Sequence, residues 1–314
     1  MAVKEALAQA KITNISKYKT GLISATTVGG MDKSERHYPE FEHSEHYIST
    51  HHAGDSTHKI ADYFNINGFV TTISTACSSA TNAIMLGAKL IKSGQLDRVI
   101  VGGTDPLCKF TINGFKSLMI LSDKLCAPFD ANRKGLNLGE AGAFLVLESD
   151  KVIRETKKPV LAYVSGYGNA NDAFHQTASS ETGEGAFLAM QKALKVANLQ
   201  PKHIDYINAH GTATVNNDAS ESVAIKRLFT NVPKFSSTKS FTGHTLATAG
   251  AVEAIISVLA LQEQVIFPNL NFKTPIENTG LIPETKLIKA DLKHVLSNSF
   301  GFGGNCSTLI LSKA

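Results

Sequence analysis

Three short stretches of this chain carry the groups that could do chemistry: Thr75-Ala-Cys77-Ser-Ser79, His210-Gly-Thr-Ala-Thr214 and Ser237-Thr-Lys239-Ser-Phe-Thr-Gly-His244. One thiol, two imidazoles and one ammonium suit carbon chemistry on thioesters, with a nucleophile to carry an acyl group and donors to hold a developing negative charge. The run 68–74 reads as β-rich, and Ala80, Ala83, Ile84, Gly87 and Ile91 then recur at helical spacing as far as Ser93-Gly94. Cys77 is therefore expected at a strand-to-helix turn. Unpaired backbone N–H groups and the macrodipole at a helix start favour a thiolate over a free thiol with a pKa of about 8.5. A small buried core cysteine fits the same local sequence.

His210 ends the apolar run 204–210, which reads as a buried strand turning at Gly211. Strand ends beside loops are where α/β sheets place functional groups. His244 follows Gly243 and precedes a helix whose apolar face is Val252, Ile255, Ile256 and Leu259. Either histidine alone would read as structural. Two together, each beside Gly and Thr and accompanied by Lys239, read as a site.

The remaining cysteines, Cys108, Cys126 and Cys306, have neither CxxC spacing nor histidines at metal-ligand intervals, so no zinc site or disulfide framework is implied. Six of the eleven histidines, His37, His43, His46, His51, His52 and His58, fall within 22 residues. His43 and His46 share a helical face, but no cysteine or carboxylate set completes a metal site, and no function is assigned to the cluster. A net charge of +4 with interleaved signs lacks the basic block of a nucleic-acid binder. No apolar run is expected to reach the roughly 20 residues that span a bilayer. Few cysteines and no secretory leader fit a reducing cytoplasm.

The motifs as a set resemble the elongating β-ketoacyl-acyl carrier protein synthases of the thiolase superfamily. The matching residues are the three stretches above with Gly102-Gly-Thr-Asp105, Pro128-Phe-Asp-Ala-Asn-Arg133, Gly139-Glu140, Leu145-Val-Leu-Glu148 and Asn298-Ser-Phe-Gly-Phe-Gly-Gly304. They run in family order from about Thr20 to the end. The resemblance implies an α/β protein of the five-layer α/β/α/β/α thiolase type, built from two similar halves. Residues 1–150 would carry the nucleophile and residues 151–314 the two histidines and the lysine.

That resemblance also implies roles. Cys77 would take an acyl chain from acyl carrier protein, and His210 and His244 would bind the malonyl thioester carbonyl as carbon dioxide leaves. Lys239 would be a buried cation partnered by Glu253, with Asp218 and Glu221 in the same polar shell. Backbone N–H groups of Cys77 and Phe302 would form an oxyanion hole. Thr212 and Thr214 would bind the pantetheine arm, and Val28, Phe115 and Phe300 would line the acyl site. No cofactor or metal is implied beyond the phosphopantetheine of the carrier, and a homodimer or a ketosynthase-type heterodimer is expected. The alternatives are a non-elongating partner subunit, which relatives of that kind make without the cysteine, or an inactive fragment; a cysteine hydrolase leaves His244 and Lys239 unexplained.

The sequence departs from the family pattern in places. Val215 stands where a proline follows His-Gly-Thr-x-Thr, Thr27 replaces a small residue beside Val28, and Asn305-Cys306 follows Gly304. The segment 1–10 resembles an internal family helix, so an amino-terminal strand and helices are expected to be missing, leaving neighbouring strands with unpaired groups.

Overall fold

A computed structural model of the chain describes residues 1–38 and 47–314. Its contacts separate two compact units, the first made of Met1–Ser117, Glu140–Pro159 and Leu246–Ala251, the second of Leu118–Gly139, Val160–Thr245 and Val252–Ala314. The cut near residue 150 read from the sequence misses this interleaving. Leu118–Gly139 groups with the later residues and Leu246–Ala251 with the earlier ones, which no position along a chain can represent.

The first unit contains α1 (Ala2–Gln9), β1 (Thr20–Ala25), α2 (Met31–His37), α3 (Asp55–Tyr63), β2 (Val70–Ile73), α4 (Ser79–Lys92), β3 (Arg98–Asp105), α5 (Lys109–Ser117), β4 (Ala141–Glu148) and α6 (Asp150–Thr156). Its sheet runs β2-β1-β3-β4, with β4 antiparallel to β3 and the rest parallel. β1 is thus bonded on both sides, to β2 and to β3. On one face Val3 and Leu7, one helical turn apart on α1, pack with Leu22, Ala61, Ile66, Ile100 and Phe144. On the other face α4 approaches so closely that a Cβ on Gly87 would lie 2.7 Å from Val101 Cγ1 and 2.9 Å from Val99 Cγ1. Glycine there lets the helix seat flat on β3, and that seating fixes the turn that precedes the helix.

The second unit contains β5 (Ala162–Asn171), α7 (Glu184–Ala197), β6 (Tyr206–Asn208), α8 (Val215–Leu228), β7 (Lys234–Ser236), α9 (Lys239–Thr242), most of α10 (Ala249–Glu263), β8 (Val265–Ile266), β9 (Ile288–Lys289), β10 (His294–Phe300) and β11 (Asn305–Lys313). The order is β5-β11-β10-β6-β7, with β6 parallel to β7 and β10, and β11 antiparallel to β10 and β5. Met190, Ala193, Ile207, Ile225, Leu296 and Ile310 are at the centre of its core.

Strand order and direction repeat between the units: β2-β1-β3-β4 corresponds to β7-β6-β10-β11. The repeat is topological, since no repeat is visible in the residues. β5 is the extra strand, paired to the outer side of β11.

The helical stretch Leu246–Glu263, with a mean hydropathy of 1.4, is long and apolar enough to cross a membrane by length and composition alone, against the sequence expectation. It is mostly buried and carries Glu253 at its middle, ion-paired to Lys239.

Candidate active site

In the first unit Cys77 occupies the turn between β2 and α4, one residue before the helix N-cap Ser78. Ala76 takes a left-handed φ of 53°, and side chains of the following residues hold the turn: Ser78 Oγ donates to Thr75 O at 2.7 Å and Ser79 Oγ to Ala76 O at 2.6 Å. Asn82 Nδ2 reaches back to Thr75 Oγ1 at 2.9 Å. The Ser-Ser and Asn of the motif therefore fix the backbone that presents the thiol. All four cysteines are buried and none forms a disulfide. Burial pushes the Cys126 thiol up to about 12 and also raises that of Cys306.

The other two residues placed here by the sequence reading are half-buried. Val28 N and both donors of Thr27 bond the buried Asp105 carboxylate. Phe115 lies on α5, whose first N–H groups, those of Lys109 and Phe110, donate to Glu35 on α2.

The second unit gathers His210, His244, Lys239 and Glu253, each only 2% exposed. The two imidazole centroids are 5.4 Å apart with ring planes at 87°. Phe300 lies 5.6 Å from the His210 ring on its other contact. Lys239 Nζ donates to His210 O at 2.6 Å and to Nδ1 at 3.2 Å, and it pairs with Glu253, whose second oxygen accepts from Ser299 Oγ at 3.2 Å. Burial first, then the Lys239 charge, hold both histidines well below the ordinary imidazole value; for His210 the neighbouring His244 adds to the effect. Both rings are neutral at neutral pH and can act as hydrogen-bond donors.

Asp218 and Glu221, assigned by the sequence to the shell of the lysine, hold main chain instead. Glu221 accepts from the N–H groups of His210 and Gly211, each at 2.9 Å, and from Asn298 Nδ2 at 3.1 Å. Asp218 accepts from Phe129 N at 2.7 Å and Ala213 N at 3.1 Å. Burial raises both carboxyls, Glu221 to about 7. His244 is clamped by its backbone, its N–H donating to Asn137 O at 2.7 Å and its carbonyl accepting from Gly139 N at 3.0 Å.

Phe302 opens the turn Phe302–Gly304, where Gly303 and Gly304 take φ of 78° and 79°. Side chains rarely adopt that region, and a Cβ on Gly304 would come 2.9 Å from Asn171 Oδ1. Thr212 and Thr214 bond each other, Oγ1 to Oγ1, at 2.9 Å.

Sequence reasoning gave no role to Asn298, Ser299 or Asn137. The first two lie within a quoted motif, but what they hold, Glu221 and Glu253, comes from distant helices. No group of metal-ligating side chains occurs among the described residues, and His43 and His46 lie outside them. His37 stacks on Tyr47 at 4.1 Å, and His51 bonds Ser34.

Comparison with known proteins places this arrangement. Residues 1–152 match the family model of the β-ketoacyl synthase N-terminal domain, and residues 161–273 that of the C-terminal domain. A chain of the complex of the ketosynthase ApeO with its chain length factor ApeC, from Xenorhabdus doucetiae, superposes with a TM-score of 0.88 at 35% identity, over 99% of this chain and 77% of that one. The chain belongs to the β-ketoacyl synthase family. A chain of the ishigamide ketosynthase/chain length factor superposes with a TM-score of 0.93 at 30% identity, covering 98% and 79%. These matches give the chain a thiolase-like fold. The 3-oxoacyl-[acyl-carrier-protein] synthase 2 of Rhizobium meliloti (strain 1021) is 42% identical over 255 residues, which are 77% of this chain. The chain spans 60% of the length of that curated relative.

Proposed function

We propose that this chain catalyses a decarboxylative Claisen condensation, joining an acyl thioester to a malonyl unit on acyl carrier protein in fatty acid or polyketide biosynthesis. The observation that carries the proposal is the pair of buried, neutral, perpendicular imidazoles with Lys239 fixed against Nδ1 of one of them. An ammonium has no lone pair, so Nδ1 of His210 accepts and its proton sits on Nε2. The ring is thereby kept as a donor on its far side.

In the proposed reaction Cys77 exchanges with an acyl carrier thioester and holds the acyl group. The bond between the malonyl methylene and its carboxylate breaks and carbon dioxide leaves. The electron pair passes to the thioester oxygen, which His210 and His244 hold as an enolate. Carbon–carbon bond formation at the acyl carbonyl follows, and collapse of the tetrahedral oxyanion expels the Cys77 thiolate. Backbone N–H groups of Cys77 and Phe302 are assigned to that oxyanion by family likeness. A dimeric, cytoplasmic enzyme working with a carrier protein accords with the reading, as does the pairing of Lys239 with Glu253.

Incubation with acyl- and malonyl-carrier protein, followed by mass spectrometry, tests it. Extended β-ketoacyl product supports condensation. Absence of covalent acylation selects a partner-subunit role, and free acid alone selects hydrolysis. His210→Ala and His244→Ala should each slow release of labelled carbon dioxide about a hundredfold, roughly 3 kcal/mol in the barrier, while leaving acyl transfer to Cys77 near the parent rate.

A further inference from the structure

Four successive main-chain oxygens, those of residues 212–215 at the junction of the loop after His210 with α8, each accept from one short segment, residues 126–135. Cys126 Sγ lies 3.7 Å from Thr212 O, Gly135 N donates to Ala213 O at 3.1 Å, and Arg133 takes the next two, Nε to Thr214 O at 3.1 Å and Nη2 to Val215 O at 2.5 Å. Nη1 of the same guanidinium donates to Asp130 O at 2.9 Å, within its own segment. That segment is itself anchored, since the Asp130 carboxylate accepts from the N–H groups of Asn132, Lys273 and Thr274 at 2.6–2.9 Å.

Arg133 is buried, yet among the described residues it makes no ion pair, and its donors go to carbonyl oxygens. The Asp218 and Asp130 charges favour its charged form without an ion-pair contact, so what the side chain contributes locally is its set of donors. The planar guanidinium fork presents donors at fixed angles, which three separate carbonyls can share and a single ammonium cannot.

The backbone it holds is strained. Ala213 has a φ of 65°, a region an L-residue keeps only when its surroundings over-determine it. Here the Ala213 carbonyl is held by Gly135 and its N–H by Asp218. With four carbonyls turned toward residues 126–135, the hydroxyls of Thr212 and Thr214 come within 2.9 Å of each other. In such a pair one hydroxyl donates to the other, and the second keeps its hydrogen. Thr212 Oγ1 also accepts from Thr214 N at 3.3 Å and Thr214 Oγ1 from Asn217 N at 3.4 Å, so the pair offers one donor and one spare lone pair, the complement of a secondary amide.

We propose that Arg133 is a positioning residue that sets the Thr212–Thr214 hydroxyl pair to bind an amide of the pantetheine arm of the substrate thioester. This rests on the condensing reaction proposed above. Arg133 acts through the loop and does not touch the reacting atoms.

The test compares two malonyl substrates, the pantetheine thioester and a simple alkyl thioester without an amide, in the parent, Arg133→Gln, Arg133→Met and Thr212→Val. Arg133 variants should raise KM for the pantetheine thioester about tenfold, the equivalent of one hydrogen bond, with kcat and the rate on the amide-free thioester within about twofold of the parent. Arg133→Met combined with Thr212→Val should lose no more than either alone. Equal losses on both thioesters, or additive losses in the double variant, would overturn the inference and leave Arg133 a purely structural clamp. Calorimetric titration of pantetheine into parent and variants reads the same point without turnover. If the parent binds pantetheine but does not condense, the reaction is refuted and the inference stands or falls on the binding difference alone. If Arg133→Met does not fold, Arg133→Gln decides.

Discussion

Lys239 Nζ touches His210 twice, donating to its carbonyl oxygen at 2.6 Å and to Nδ1 at 3.2 Å. One cation therefore fixes both the position of the residue and the tautomer of its ring. Lys239→Met should leave Glu253 buried and unpaired and cost about 3–5 kcal/mol, read by chemical denaturation. The double variant Lys239→Met/Glu253→Gln should recover most of that loss. Nitrogen NMR of the double variant should show His210 with a proton on Nδ1 in a measurable fraction of molecules, which the parent lacks.

The pH dependence follows from groups of opposite sign. His210 and His244 stay neutral in the folded chain far below the value of about 6.5 at which an unfolded histidine protonates, so the stability they contribute is complete above pH 6.5 and is lost as pH falls. The slope is about 1.4 kcal/mol per pH unit for each ring. Glu221 works the other way: with a folded value of about 7 against 4.5, it favours the folded state increasingly as pH falls from 7 to 4.5. Asp218 and Glu253, also raised by burial, act in its direction. Glu221→Gln should therefore lose stability more steeply than the parent between pH 7 and 5.5, and carbon NMR should show both imidazoles neutral over that range.

Cys77 alone should react with an alkylating agent under native conditions. Burial raises the Cys126 and Cys306 thiols far above neutrality, which removes their thiolate, and the Cys108 sulfur is buried 3.0 Å from Thr111 Oγ1. Peptide mapping after brief treatment should find one adduct, on Cys77. An equal yield on any other cysteine would contradict the assignment.

Val215→Pro should stabilise the chain by about 0.4–1 kcal/mol. Val215 is the first residue of α8, after the N-cap Thr214, and is 64% exposed. Its N–H belongs to the helix start, where no intrahelical acceptor exists and the fixed φ of proline is accepted. The measurement is the denaturation midpoint, with KM for the pantetheine thioester as a control that the Arg133 bond to Val215 O is kept.

Much of the site was legible because its groups sit at junctions that local patterns mark. The β-rich run and the 3.6-residue spacing on either side of Cys77 placed it at a turn, and α4 begins two residues later. Other features depend on partners remote in sequence. The run 204–210 reads as seven strand residues, but only Tyr206–Asn208 join the ladder, because the Glu221 carboxylate takes the N–H groups of His210 and Gly211 and turns the chain aside. Glu253, inside the apolar run of α10, was visible only through family likeness. Nothing in the residues 118–139 announces that they wrap the loop 212–215.

The two sheets end differently. β11 has β5 along its outer side, and seven of its nine residues are buried; β4, its counterpart, has two of eight buried. In its ladder Ser149 N donates to Asp97 O, and the alternation that follows turns the N–H and C=O groups of Phe144 and Val146 away from β3. The other edges are blunted, β2 and β7 by being only four and three residues long and β5 by a register shift at Ile310/Leu311. Between Glu140 and Glu148 this edge has no charge, proline or bulge. Among the described residues β11 thus spends both sets of its backbone groups, on β10 and on β5, and its counterpart β4 spends one, on β3.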